Sequence, residues 1–495
     1  MIEENALIKE RIRKLQEIRE SGVDPYPYQF EKTHDAKQII EKYDPIEKED
    51  IGEDEVSVAG RIMQCRKMGK ASFFHIQDET EKIQVYIRQN DVGEDQYSLF
   101  KKTDIGDIVG IKGSIFKTKT GEVSVYAKNL TLLCKSLRPL PEKFHGIQDQ
   151  ELKYRKRYLD LIMDPETKDL FKKRAKVIQL VRRFLDDIGF LEVDTPVLQT
   201  IYGGTNAKPF TTHINAYNMQ MYLRVAPELY LKRLMIGGFE KVYEIARNFR
   251  NEGVDQTHNP EFSMIEWYEA YVDYHVMMDR AEAMIKMIAK EVNGSEQLGV
   301  LEESIDIDYE WPRLSMTDAI KQYLDIDVTT MSLDDLQTYS DKKGITVRGT
   351  ETVGSLTFAI FDKLVCEQLL KPIWIIDYPK EVSPLSKPHR DKPDLVERYE
   401  LYIGGKEICD GWSELNDPEV QRDRFEKEQA AMRSGDDEAH PMDDDFIEAL
   451  EFGLPVCGGI GMGIDRLVML ITNTWSIRDV LFFPTMKPPS RYEKR

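Results

Sequence analysis

The feature that most restricts this chain of 495 residues is a change of texture near residue 140. From about 55 to 135 it runs as short alternating segments, "EVSVAGRIMQCRK", "ASFFHIQD", "KIQVYIRQ" and "DIVGIKGSIFKTKTGEVSVYAK". A period of two puts every second side chain on one face of a strand. Strands this short, joined by Gly and Thr-Lys-Thr-Gly turns, read as a small β-barrel of five or so strands. "RPLPEK", 138–143, reads as a linker. Beyond it, long amphipathic helices such as "KDLFKKRAKVIQLVRRFLDDIG" mix with strands in an α+β or α/β texture. The expected division is a charged helical extension over 1–50, the barrel over 51–145 and a larger domain over 146–495.

Bulk properties exclude several function classes. No run of about 18 apolar residues occurs, so no transmembrane helix and no membrane partner are expected. "MIEENALIKERIRKLQEIRES" has no apolar signal core. The five cysteines are scattered with no CxxC pair, which argues against a disulfide framework or zinc site and fits a reducing cytoplasm. A net charge of −20 means that any nucleic-acid contact uses local basic surface. Lys9, Arg11, Arg13 and Lys14, with Arg66, Lys67 and Lys70, are the candidates to track phosphates. The acidic tract "SGDDEAHPMDDDF", 434–446, reads as a solvated loop leading into a helix.

Three stretches carry chemistry. "FRNEGVDQTHNPEFSMIEWYEAY", 249–271, sets an arginine, a histidine and several carboxylates among aromatics. Such groups are costly to bury alone, so the segment is either a solvated loop or a site for a charged ligand. By alternation Arg250 and Glu252 share one strand face, and Phe262, Met264, Glu266 and Tyr268 share another. Folded as a hairpin, they would put a guanidinium suited to phosphate or carboxylate beside a ring suited to stacking on a base. In "GGIGMGIDRLVMLIT", 458–472, glycines 459, 461 and 463 alternate with apolar residues, which leaves one strand face bare for a flat ligand, and Arg466 opens the helix that follows. "GFLEVDTPVL", 189–198, runs from a helix end into a strand through Pro196.

In this order and spacing, the three stretches resemble the signature motifs of the class II aminoacyl-tRNA synthetases, and the resemblance to the lysine-specific branch spans nearly the whole chain. It implies an α+β fold: a five-stranded oligonucleotide-binding barrel followed by a catalytic domain with an antiparallel sheet flanked by helices. It also implies a homodimer with Pro196 at its interface. The partners implied are ATP, L-lysine and lysine tRNA, with Mg2+ as cofactor. Arg250, Glu252 and Arg466 would be catalytic. With His258, Asn259, Phe262 and Glu400 they would hold ATP, Phe262 under the adenine and Arg466 on its other side. Gly204, Glu228, Arg250, Glu266, Tyr268, Asp410, Trp412 and Glu414 would hold lysine, its ammonium falling to Glu414 with Tyr268.

For the metal, "YELYIGGKEICDGWSELND" offers a spacing argument. A two-residue turn at Gly404-Gly405 would set Tyr402 opposite Glu407 and Glu400 one diagonal step away on the same face. Two carboxylates beside a triphosphate suit Mg2+, and the family uses glutamates at these positions. Asp410, Trp412 and Glu414 have the opposite parity to Glu407, so a kink near Cys409 is required if all face inward. Buried carboxylates with no resident Lys or Arg would be strongly destabilising, so a cationic substrate is expected to supply the charge. Relatives commonly carry Asn at Asp410 and a smaller aromatic at Trp412. An ionised Asp would repel a substrate carboxylate unless it is paired or turned away.

In the barrel, the same resemblance gives Phe73 to stacking on an anticodon base and Gln84 to its edge, with Arg66 and Glu122 assisting; Phe74 is expected in the core. Two alternatives remain open. One is a lysyltransferase paralogue acting on a translation factor, which usually lacks the barrel. The other is a non-catalytic RNA-binding paralogue, which should lose a phosphate-binding arginine or a metal carboxylate.

Overall fold

The computed structural model describes residues 6–48, 50–141, 147, 149–300, 303–347, 351–433 and 441–488. The end of "RPLPEK", the expected boundary at 145/146 and residues 434–440 of the acidic tract lie outside them. The chain divides into two compact units, Met1–Ile147 and Gln148–Arg495.

The first unit holds helices α1 (Ala6–Glu20) and α2 (Ala36–Tyr43) and strands β1 (Ile51–Met68), β2 (Ala71–Gln77), β3 (Lys82–Arg88), β4 (Ile108–Lys117) and β5 (Val123–Cys134). The strands close into a barrel in the order β1-β2-β3-β5-β4. β3 and β5 run parallel, and the other pairs are antiparallel. Two short helices, Gln89–Val92 and Glu94–Lys102, intervene before β4, and the second puts Tyr97 and Phe100 into the barrel core. Phe74 is 1% exposed in that core while its neighbour Phe73 points the other way, half-buried, as period two requires. The N-terminal helices pack on the barrel through Ile18, Ile39 and Tyr43. Arg11 and Lys14 are therefore not spare phosphate ligands. Arg11 donates to the carbonyls of Ser136, Arg138 and Ile105, and Lys14 pairs with Asp104 at 2.6 Å. Lys67 likewise donates to the carbonyls of Lys101 and Thr103.

The second unit is built on an eight-stranded sheet. In chain order the strands are β6 (Leu191–Glu192), β7 (Lys241–Phe249), β8 (Glu261–Ala270), β9 (Arg313–Ser315), β10 (Ile373–Pro379), β11 (Leu395–Ile403), β12 (Lys406–Ser413) and β13 (Cys457–Gly463). Their order across the sheet is β9-β10-β11-β12-β13-β8-β7-β6. The six inner strands are antiparallel, as expected, and the two edge strands pair in parallel, so the sheet as a whole is mixed. Helices α3 (Pro165–Asp187), α5 (Tyr274–Asn293) and α6 (Ile464–Ile471) cover one face, with α4 (Glu228–Ile236) preceding β7. Val177, Leu185, Met284 and Leu467 from the covering helices meet Ile265, Trp267, Leu401 and Met462 from the strands. Alternation then forces the intervening residues of β8, β11, β12 and β13 onto the opposite face.

Candidate active site

That opposite face is set by register. β8 and β12 flank β13, so Gly461 lies between Glu266 and Asp410, and Gly459 between Tyr268 and Trp412. A Cβ on Gly459 would stand 2.5 Å from the Tyr268 ring and against Glu414 Oε1; one on Gly461 would stand 2.8 Å from the Met264 methyl. The bare glycine strip is the floor of a cavity of about 350 Å³, a size that suits a small ligand. Gly204, Glu228, Arg250, Glu252, His258, Asn259, Phe262, Glu266, Tyr268, Glu407, Asp410, Trp412, Glu414 and Arg466 all line it. Glu400 stands behind this lining, joined to it by Arg398.

The hairpin β11–β12 turns on Gly404 and Gly405, both at positive φ (65° and 70°), which a two-residue turn of this type requires. Tyr402 lies opposite Glu407 and Leu401 opposite Cys409, so Ile408 is an extra residue. This bulge is the kink that parity demanded, and it lets Glu407 share a face with Asp410 and Trp412. The other hairpin differs from expectation. β7 ends at Phe249, so Arg250 and Glu252 sit in the loop rather than on a strand face. Arg250 N–H donates to the Pro260 carbonyl at 2.9 Å, which closes the loop's neck, and its guanidinium lies 5.0 Å from the Phe262 ring centre. Arg250 Nε is buried without a hydrogen-bond partner among the described residues. His258 is exposed and bonds Asp255 at 2.8 Å. Asn259 spends both ends of its amide on the chain, on the Glu261 carbonyl and the Thr485 N–H.

Two resident cations overturn the expectation that substrate alone supplies the positive charge. Lys232, fully buried on α4, lies 2.5 Å from both Glu228 and Glu414. Arg398 grips Asp410 with two bonds of 3.1 and 3.0 Å and reaches Glu400 at 2.7 Å. Asp410 is thus paired, one of the two conditions under which an ionised Asp there avoids repelling a substrate carboxylate. Glu414 Oε2 also accepts from the Trp412 indole N–H at 2.8 Å, while its Oε1 is buried without a hydrogen-bond partner among the described residues. Burial pushes the Glu414 carboxyl up to about 8, against the pull of Lys232. It also raises Glu228 and holds Glu266 well above the usual range, where the nearby Glu228 charge adds to it.

Comparison with known proteins places the chain in a family. Residues 149–487 match the family "tRNA synthetases class II (D, K and N)", and residues 56–133 match the "OB-fold nucleic acid binding domain". A lysine–tRNA ligase of Carboxydothermus hydrogenoformans is 50% identical over 486 residues, covering 98% of each chain. That of Pelotomaculum thermopropionicum is 49% identical over 98% of this chain and 95% of its own. That of Bacillus subtilis is 47% identical over 98% and 97%. The chain belongs to the lysine–tRNA ligase family.

This member of the lysine–tRNA ligase family carries a second cavity, of about 710 Å³, on its barrel. Arg66, Phe73 and Gln84 line it together with His75, Phe116 and Tyr126. Glu122 accepts from Gln84 Nε2 at 2.7 Å and bonds His75 at 2.8 Å, while Ser124 donates to Gln84 Oε1. The Gln84 amide is therefore pre-oriented. Phe73 lies against Tyr86, ring centres 4.7 Å apart.

Lys232, Arg398 and His75 were not singled out from sequence. Arg398 had a signal, because it stands two residues before Glu400 and so shares its strand face. Lys232 had a weaker one, its i,i+4 spacing from Glu228.

Proposed function

We propose that the cavity activates L-lysine with ATP to lysyl-adenylate, and that the barrel presents lysine tRNA for transfer of the lysyl group to its 3′ end. One observation carries this reading. A single cavity holds an unbonded buried carboxylate oxygen, Glu414 Oε1, and an unbonded buried guanidinium N–H, Arg250 Nε. The first is an acceptor for an ammonium. The second is a donor for a carboxylate or phosphate.

Glu414, with Tyr268 beside it, takes the side-chain ammonium, and Glu228 at Gly204 takes the α-amino group. Glu266, bonded by the Tyr268 hydroxyl at 3.2 Å, and Trp412 shape the wall between. Arg250 draws the lysine carboxylate and the α-phosphate together, and Phe262 and Arg466 take the two faces of the adenine. Glu252 and His258 serve ATP from the loop, and Asn259 fixes that loop. A lysine carboxylate oxygen bonds to the α-phosphorus as the bond to pyrophosphate breaks; the tRNA hydroxyl then displaces AMP. This chemistry needs positioning and charge stabilisation, with no protein nucleophile.

Glu400 and Glu407 fit Mg2+. They are hard oxygen donors on one face of the hairpin; burial raises the Glu400 carboxyl against the pull of Arg398, and the Glu407 charge adds to the rise, a repulsion that a cation relieves. Glu400 is bonded by Arg398 and Tyr402 at 2.7 and 2.6 Å, and its oxygens keep further lone pairs. No cluster of three metal-ligating side chains occurs among the described residues, so phosphates and water would complete the shell. When bound, the ion neutralises charge on the phosphates.

Leu191, Val197 and Leu198, 39–48% exposed in "GFLEVDTPVL", support a homodimer contact there. The barrel disfavours the translation-factor lysyltransferase, and the survival of Arg250, Arg466, Glu400 and Glu407 disfavours a non-catalytic paralogue. The test is amino-acid-dependent exchange of pyrophosphate into ATP over all twenty amino acids. Exchange with lysine is expected, and silence with lysine would refute the reading.

A further inference from the structure

Lys232 sits between two carboxylates that come from different elements, Glu228 on its own helix and Glu414 just past the end of β12. In the reading above, those carboxylates take opposite ends of the amino acid. The Lys232 ammonium contacts Glu228 Oε1 and Glu414 Oε2, each at 2.5 Å. The remaining oxygens are turned elsewhere: Glu228 Oε2 lies 3.6 Å from where a Gly204 Cβ would be, and Glu414 Oε1 faces Gly459. One oxygen at each end of the pocket is tied to the same nitrogen, and at the Glu414 end the other is buried with no hydrogen-bond partner among the described residues. Trp412 adds a second donor to Glu414 Oε2, and its ring centre lies 5.9 Å from the Lys232 nitrogen. Burial works against the Lys232 charge, yet the two carboxylates hold its ammonium above the ordinary lysine range.

Resting on the lysine-activation reading, we propose that Lys232 is a positioning residue that fixes the spacing between the α-amino acceptor Glu228 and the ammonium acceptor Glu414, and so sets the length of diamino acid the site accepts. Without the bridge, two buried carboxylates repel and relax apart or take up a proton. Lys232 itself need not touch the substrate. Its effect is on where the two acceptors stand, and chain-length discrimination is where that effect reads out. One methylene in a well-formed pocket is worth roughly 10- to 200-fold in kcat/KM.

The test compares pyrophosphate exchange with L-lysine and with L-ornithine, one methylene shorter, for the full chain and for Lys232→Met. In Lys232→Met the ratio of lysine to ornithine kcat/KM should fall at least about tenfold, the lower end of what one methylene is worth, with the KM for ATP within about twofold. Should Lys232→Met fail to fold, as judged by circular dichroism and melting, Lys232→Gln carries the test, because it keeps an N–H donor without the charge. A ratio that stays constant while kcat or melting temperature falls would make Lys232 merely structural and overturn the inference. An unmodified chain that does not exchange with lysine would remove the underlying reading, and the inference with it. The two failures are thus distinguished by which protein shows them.

Discussion

Lowering the pH from 8 to 6 should weaken lysine binding steeply. Burial holds the Glu414 carboxyl at about 8 before the substrate arrives. An ammonium on its free oxygen favours the ionised form, so the pKa falls in the complex and binding releases a proton. Affinity is then full above pH 8 and is lost as pH falls below it. A one-proton linkage costs about tenfold per unit, roughly 100-fold or ~2.7 kcal/mol by pH 6. Glu228 and Glu266, also raised by burial, act in the same direction. Lys232 stays charged throughout, and lysine's own side chain, near 10.4 in water, does not titrate in this range. The assay is lysine-dependent pyrophosphate exchange at saturating ATP, with the KM for lysine measured at half-unit steps. A KM that stays flat from pH 8 to 6 would refute the claim that a protonated Glu414 awaits the substrate.

Three further outcomes follow from the same geometry. Gly459→Ala puts a methyl group 2.5 Å from the Tyr268 ring and against Glu414 Oε1, and the displaced acceptor should lower kcat/KM for lysine about 100-fold in the same exchange assay. Asp410→Asn should keep lysine as the substrate and change its KM by less than about tenfold, since Asn retains an oxygen for Arg398; a change of substrate would sink the assignment of the ammonium to Glu414. Phe73→Ala should raise the KM for lysine tRNA in aminoacylation roughly tenfold or more, the worth of one base stacked on an aromatic ring, and an unchanged KM would move the anticodon elsewhere.

Much of this architecture was legible because the information is local. The Gly404-Gly405 turn follows from two adjacent residues, and once it is set, the pairing of Tyr402 with Glu407 follows by counting. A kink near Cys409 was required if Glu407, Asp410, Trp412 and Glu414 were all to face inward, and the bulge at Ile408 supplies it. Phe73 and Phe74 divide between cavity and core because adjacent strand residues face opposite sides. The glycines at 459, 461 and 463 announced a bare face by the absence of side chains. Where local order broke down, so did the reading. Arg250 and Glu252 lie beyond the end of β7, where alternation no longer applies, and the parallel edge strands depend on connections the pattern does not encode.

By itself the sequence determined the small barrel and which residues along each strand share a face, because period and turn chemistry act between near neighbours; the helix-flanked sheet was an implication of the family resemblance. It left undecided which charges pair. Lys232 meets a carboxylate 182 positions away at Glu414, and Arg398 joins Glu400 to Asp410 across two strands. Such pairings depend on distance and burial in three dimensions, since a buried ion is stable only beside its partner. Only the tertiary structure could show that the pocket already contains an ammonium of its own, with a single carboxylate oxygen left over for another.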